Sequence, residues 1–208
     1  MKYIDLETYP RRSHFEFFRQ MAYPYVGFTA AVDVTKPLAA AKELGGGGFH
    51  ACLWVIAQAA NAVPELRQRI VGEQIVEFDH CDTAHTVAMP DGTFCNCRTE
   101  SAMDFASFLQ HARLAQEASM QRHGFVSTVE DETELIFVSC VPWISFTQVI
   151  QPTPIPADCN PRVVLGRYDR KADGRVEMPL AIQANHALAD GRHLGQFYQE
   201  FARICDSL

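Results

Sequence analysis

From His50 to Val63 only His50, Gln58 and Asn61 are polar, and Pro64 follows directly. A helix with apolar residues on most sides has no face to offer water, so it is buried and must be covered by other elements. Proline cannot continue a helix, so Pro64 ends it. Covering such a helix takes a substantial core. A chain of 208 residues, 48% apolar and 21% charged, can build one as a single domain spanning residues 1–208.

The segments around this helix alternate in type. Arg11–Met21 carries Phe15 and Phe18 at helical spacing, and Pro24 stops it. Tyr25–Val34 puts Val26, Phe28, Ala30, Val32 and Val34 on one face, a strand pattern. Thr35 is the N-cap expected for a helix running to Leu44, closed by Gly45. Gly45–Gly48 lacks the Lys-Ser/Thr of a phosphate-cradling loop and is read as a flexible turn. Strands are expected over 74–78, 83–89 and 93–98, the last two joined as a hairpin through Pro90-Asp91-Gly92. A helix is expected over Ala102–His123, closed by Gly124. Further strands are expected over 134–141, 145–150, 161–168 and 176–183, with a loop at the proline-rich 151–161 and a last helix over 192–204. The alternation gives an α/β fold.

The formal net charge of −7 argues against a nucleic-acid partner, which needs a basic surface. The seven cysteines include no Cys-x-x-Cys pair, and the eight histidines show no metal-ligand spacing. No basic stretch followed by an apolar run opens the chain, and no apolar window is long enough for a bilayer. Reduced thiols in a cytoplasmic protein fit these features.

The stretch richest in chemistry lies near the end. An apolar segment from Met178 to Ala184 runs into Asn185 and His186, and Asp190-Gly191 follows before the last helix. Imidazole titrates closest to neutral pH, so a histidine held by a rigid strand end can take a proton from a hydroxyl and return it. A carboxylate four residues on can order the loop. Alone, this His-x-x-x-Asp-Gly pattern equally fits a core histidine and a capping aspartate.

Five blocks remove that ambiguity. Arg11-Arg12-Ser13-His14-Phe15, Pro64-Glu65-Leu66-Arg67, Pro142-Trp143-Ile144-Ser145-Phe146-Thr147, Leu165-Gly166-Arg167-Tyr168 and Asn185-His186 with Asp190-Gly191 occur in order along the chain. Together they resemble the chloramphenicol acetyltransferase family nearly end to end. The resemblance implies a two-layer sandwich, with helices on one face of a mixed, mostly antiparallel sheet. It implies an acetyl-CoA-dependent O-acetyltransferase acting on chloramphenicol or a similar apolar alcohol, with no metal. It also implies a homotrimer with active sites between subunits, and a role in antibiotic resistance.

Residue by residue, the resemblance makes His186 the general base and pairs Asp190 with Arg11 to keep the loop in shape. Tyr168 and Arg167 fall on the cofactor side. Phe18, Pro24, Val26 and Val164 fall on the acceptor side. Several positions depart from the family pattern. Asn185 replaces the first of two adjacent histidines. Phe18 stands where a tyrosine is frequent, and Val164 where a threonine binds water. Gln148 takes the place of the serine that donates to the oxyanion, and its amide offers that bond from a longer arm. These changes leave open a related acyltransferase with another hydroxyl acceptor, or a non-catalytic trimeric binding protein on the same scaffold.

Overall fold

The computed structural model describes residues 1–121 and 132–208. In chain order the elements are β1 (Lys2–Ile4), α1 (Arg12–Phe18), β2 (Tyr25–Asp33), α2 (Thr35–Glu43) and α3 (Gly48–Asn61). A 3-10 turn at Pro64–Arg67 leads to β3 (Gln68–Val71), β4 (Gln74–Glu77), β5 (Asp82–Ala88) and β6 (Phe94–Thr99). Then come α4 (Phe105–Met120), β7 (Leu135–Cys140), β8 (Arg162–Leu165), β9 (Asp169–Arg170), β10 (Val176–Asn185) and α5 (Gly191–Ser207).

The main sheet runs β2-β10-β8-β7-β5-β6, with β9 also on β10. Among the described residues only the β5–β7 and β7–β8 pairings are parallel. Strand alternation divides β10 between two faces. Met178, Leu180, Ile182 and Ala184 join the core beneath α3 and α5, where Leu53, Ile56, Phe197 and Phe201 are fully buried. The intervening Ala181, Gln183 and Asn185 face the other way. Removing a buried leucine such as Leu53 from this layer would cost about 2–5 kcal/mol, the usual range for Leu→Ala in a core. The architecture is the mixed, mostly antiparallel sheet with helices on one face.

The helix inferred from its apolar sides is α3, which lies inside this core. Its neighbour α2 ends where Gly45 takes a left-handed φ of 68°. There the Gly45 and Gly46 amides donate back to Lys42 and Ala41. At the exit of β8, Gly166 admits no side chain: a Cβ there would lie 2.3 Å from Pro179 Cγ. This close approach lets the chain fold over β10.

Some expectations are corrected. Thr35 lies inside α2, whose N-cap residue is Val34; its hydroxyl instead receives the Val176 amide at 2.8 Å. The turn predicted through Gly48 is shorter, because α3 begins there. The helix predicted from Ala102 starts at Phe105, because the Asp104 carboxylate caps it by accepting from Ser107 N at 3.0 Å. Its expected end at His123 and Gly124 lies outside the described residues. Residues 145–150 form no strand. Pro142 follows β7, the chain turns out of the sheet, and both sides of β7 are already occupied by β5 and β8.

A second sheet, β1-β4-β3, escaped the sequence reading apart from β4. Its Ile75, with Phe15 of α1, packs on Ala187 and Leu188 just after β10. Arg69 on β3 is fully buried and donates to the carbonyls of Leu66, Thr133 and Leu135, tying this sheet to the start of β7. The small sheet therefore braces the turn that carries His186.

A buried histidine makes the helix layer sensitive to acid. His85 on β5 is 1% exposed, with its ring 5.2 Å from that of Phe49 and 6.4 Å from that of His50. Burial first, then His50, pushes its pKa down to about 4. The unfolded imidazole titrates near 6.5. Between these values the unfolded chain binds more protons than the folded one, so stability rises with pH. The His85 contribution is complete above about pH 6.5 and shrinks as pH falls towards 4, by roughly 3 kcal/mol at most. Denaturant unfolding at pH 7 and 4.5 should show His85→Gln losing about 2 kcal/mol less than wild type between the two.

Candidate active site

The site begins where β10 stops pairing with β2. Asn185 stands opposite Tyr25 in the register, and the next amide, His186 N, donates to Pro24 O at 2.6 Å. The chain then turns tightly. Leu188 N and Ala189 N both donate to Asn185 O at 3.0 Å, and Ala187 N donates to Asn185 Oδ1 at 3.0 Å. Small residues at 187 and 189 allow this turn to be buried.

The His186 ring is fixed from two directions. Nδ1 lies 3.0 Å from Ala189 O. A carbonyl only accepts, which assigns the ring proton to Nδ1 and leaves Nε2 with its lone pair. The flat face stacks on Phe18, with ring centroids 3.9 Å apart and an interplanar angle of 14°. One tautomer and one ring plane are thereby selected, which is what proton transfer at Nε2 requires.

Arg11 and Asp190 close the turn. Arg11 Nη1 forms an ion pair with Asp190 Oδ2, and Nη2 donates to His186 O at 3.1 Å. Arg11 precedes α1 as its N-cap residue rather than lying inside it. Asp190 caps α5, accepting from Arg192 N at 2.9 Å, while its own amide donates to His193 Nδ1 at 3.0 Å. Burial acts to raise the Asp190 pKa but is outweighed by the Arg192 amide, His193 and Arg11, which hold it below the usual value. His193 thus completes the cap of α5. His14 is exposed on α1.

The remaining predicted residues are spread over two regions. Gln148 lines an open groove of about 380 Å³ on the sheet face opposite the helices, with Thr147, Ala181 and Gln183; Val26 borders it, but its side chain sits beside Ala184 on the core side. Val164 is buried under this groove as the cross-strand neighbour of Ala181. Gln148 lies exposed on an irregular segment rather than on the strand expected over 145–150. Pro24 and Asn185 line a larger cavity of about 1030 Å³ that reaches Phe94, Asn96 and Phe137.

Tyr168 lies apart, after β8. Its ring is partly exposed, but its hydroxyl turns inward to Cys52 Sγ at 3.7 Å, and burial, then Cys52, raises its pKa. Arg167 is exposed and pairs with Asp169 at 3.1 Å. His186, Phe18, Arg11 and Asp190 therefore form one constellation. Val164 and Gln148 form a second, and Tyr168 with Arg167 a third, while Val26 turns towards the core.

Sequence reasoning missed the residues behind the His186 turn. Asp158 and Arg162 carry no motif, and Asp158 lies in a proline-rich loop that offers no periodicity. The Ala189 carbonyl that selects the tautomer is a main-chain atom, invisible to any residue pattern.

Comparison with known proteins finds relatives along the whole chain. A family model described as chloramphenicol acetyltransferase matches residues 1–202. A chloramphenicol acetyltransferase from Klebsiella sp is 29% identical over 210 residues, covering 98% of this chain and 93% of its own length. One from Streptomyces acrimycini is 30% identical over 205 residues, covering 97% and 92%. A solved chloramphenicol acetyltransferase structure superposes with a TM-score of 0.90 at 28% identity, covering 98% of this chain and 99% of the other. With the whole fold shared and the match running almost end to end, the chain belongs to the chloramphenicol acetyltransferase family.

Proposed function

We propose that this chain is an acetyl-CoA-dependent enzyme that acetylates a hydroxyl of chloramphenicol, with His186 as its general base. The observation that carries the reading is the Nδ1 contact with Ala189 O, which leaves Nε2 as a fixed proton acceptor. Nε2 takes the acceptor hydroxyl proton as that oxygen attacks the thioester carbonyl of acetyl-CoA. The tetrahedral intermediate collapses, the C–S bond breaks, and the departing thiolate takes the proton back from the imidazolium. No covalent acyl-enzyme is required, because the base already activates the nucleophile.

Other roles follow from position. Phe18 holds the His186 ring plane and borders the acceptor, with Pro24, Val26 and Val164 shaping its surroundings. The Gln148 amide donates to the oxyanion. Tyr168 and Arg167 receive the CoA portion. The two remoter groups lie apart from His186 and join it where active sites form between copies, and the family resemblance makes the working unit a homotrimer. Exposed Phe28, Trp143 and Ile150 support this, because large apolar side chains left at a surface favour burial against a partner. The enzyme works in the cytoplasm and confers resistance to the antibiotic.

The test is thiol release. Purified protein with acetyl-CoA and chloramphenicol should liberate CoA thiol at a rate set by the antibiotic and yield its O-acetyl ester by mass. Release at background with chloramphenicol, but above it with another alcohol, would reassign the acceptor. Release at background with every alcohol, while CoA still binds, would make the chain a binding protein.

A further inference from the structure

The open face of the sheet carries a partly buried charged cluster that the chemistry above leaves unused. Arg162 on β8 donates through Nη1 and Nη2 to the two Asp158 carboxylate oxygens at 2.7 and 2.6 Å. Its guanidinium lies over the Phe137 ring, 5.3 Å from the centroid. Tyr25 OH donates to Asp158 Oδ1 at 2.9 Å. Burial, then Asp158, raises the Tyr25 pKa, so the phenol stays protonated as a donor. A carboxylate gripped at both oxygens by a planar fork is among the most rigid polar contacts a protein makes. Asp158 is thus an anchored point within the irregular segment 151–161.

The anchor acts on the residue before His186. Asn185 Nδ2 donates to Asp158 O at 2.9 Å, while Asn185 Oδ1 accepts from Ala187 N at 3.0 Å. One amide thus ties the turn to the loop, using its donor end outward and its acceptor end inward. The same turn supplies Ala189 O, which orients the His186 ring. We infer that Asn185 is a positioning residue for His186, and that Asp158, locked by Arg162 and Tyr25, is the fixed point it works from. The inference rests on the reading of His186 as general base. An asparagine suits the position because its amide provides a donor and an acceptor at once. Aspartate keeps the shape and the inward acceptor but sets an oxygen against the Asp158 carbonyl.

The test is steady-state kinetics on the intact enzyme with acetyl-CoA and chloramphenicol. Asn185→Asp should lower kcat by ~30–100-fold, the penalty of a base displaced by about an ångström, with both KM values within about twofold of wild type. Tyr25→Phe, which leaves the Arg162 fork in place, should show the same split at a smaller ~3–10-fold. A kcat within about twofold of wild type for Asn185→Asp, or a loss expressed in KM alone, overturns the inference. Should Asn185→Asp fail to fold, an unchanged kcat in Tyr25→Phe overturns it instead. His186→Ala separates the two readings. If that variant stays active, the general-base assignment fails. If it is inactive while Asn185→Asp behaves as wild type, only the positioning role fails.

Discussion

Replacing His186 by alanine is expected to lower kcat by about 10²–10⁴-fold, the range a well-placed general base supplies. The loss should fall on kcat more than on either KM, because the ring acts on the proton in flight rather than on bound substrate. Stability should change little. The ring is only partly buried, and what it loses is one hydrogen bond to Ala189 O and the stack on Phe18. Each such contact is worth about 1 kcal/mol net. Thiol release measured beside thermal unfolding separates these effects. A variant with near wild-type kcat would show that another group takes the proton.

Arg11→Ala is expected to damage both folding and activity. Arg11 grips Asp190 and the His186 carbonyl together, with its side chain 12% exposed. Breaking a buried ion pair costs about 3–5 kcal/mol, and the partial exposure of Asp190 brings this nearer to about 2–3 kcal/mol. The freed turn would let the imidazole drift, so kcat should fall by about 10²-fold even where the protein remains folded. Asp190→Asn is the informative companion, since an amide still caps α5 through Arg192 N but carries no charge.

The pH dependence of this effect has a definite sign. The Asp190 carboxyl is held below its usual 3.8, so the stability it contributes is present above that value. It is lost as pH falls through the lower folded value. Wild type and Arg11→Ala should therefore differ fully at pH 6–7 and converge in strong acid, which denaturant midpoints across pH would show. A gap that stayed constant into acid would place the stabilising contact of Arg11 elsewhere.

Residue pattern alone determined a good deal here. The helix α3 was legible because its apolar sides admit only a buried position, and β2 because its alternation suits a sheet with one covered face. His186, Asp190 and Arg11 were singled out by the resemblance of their blocks to the family, and the fold brings the three together. Other features were not legible in principle. A strand over 145–150 reads well locally, yet it is absent because both neighbouring sheet positions were taken. β1, with three residues, is too short to carry a period.

Only the tertiary structure decided which atoms meet. The ring proton of His186 is set by the Ala189 carbonyl, its plane by Phe18, and the turn beneath it by an amide hung from Asp158. Those partners are main-chain groups or residues 27 to 168 positions away, so no local pattern can contain them. Sequence fixes side-chain chemistry and local period, whereas the position of a base within an ångström is a property of the folded chain's packing.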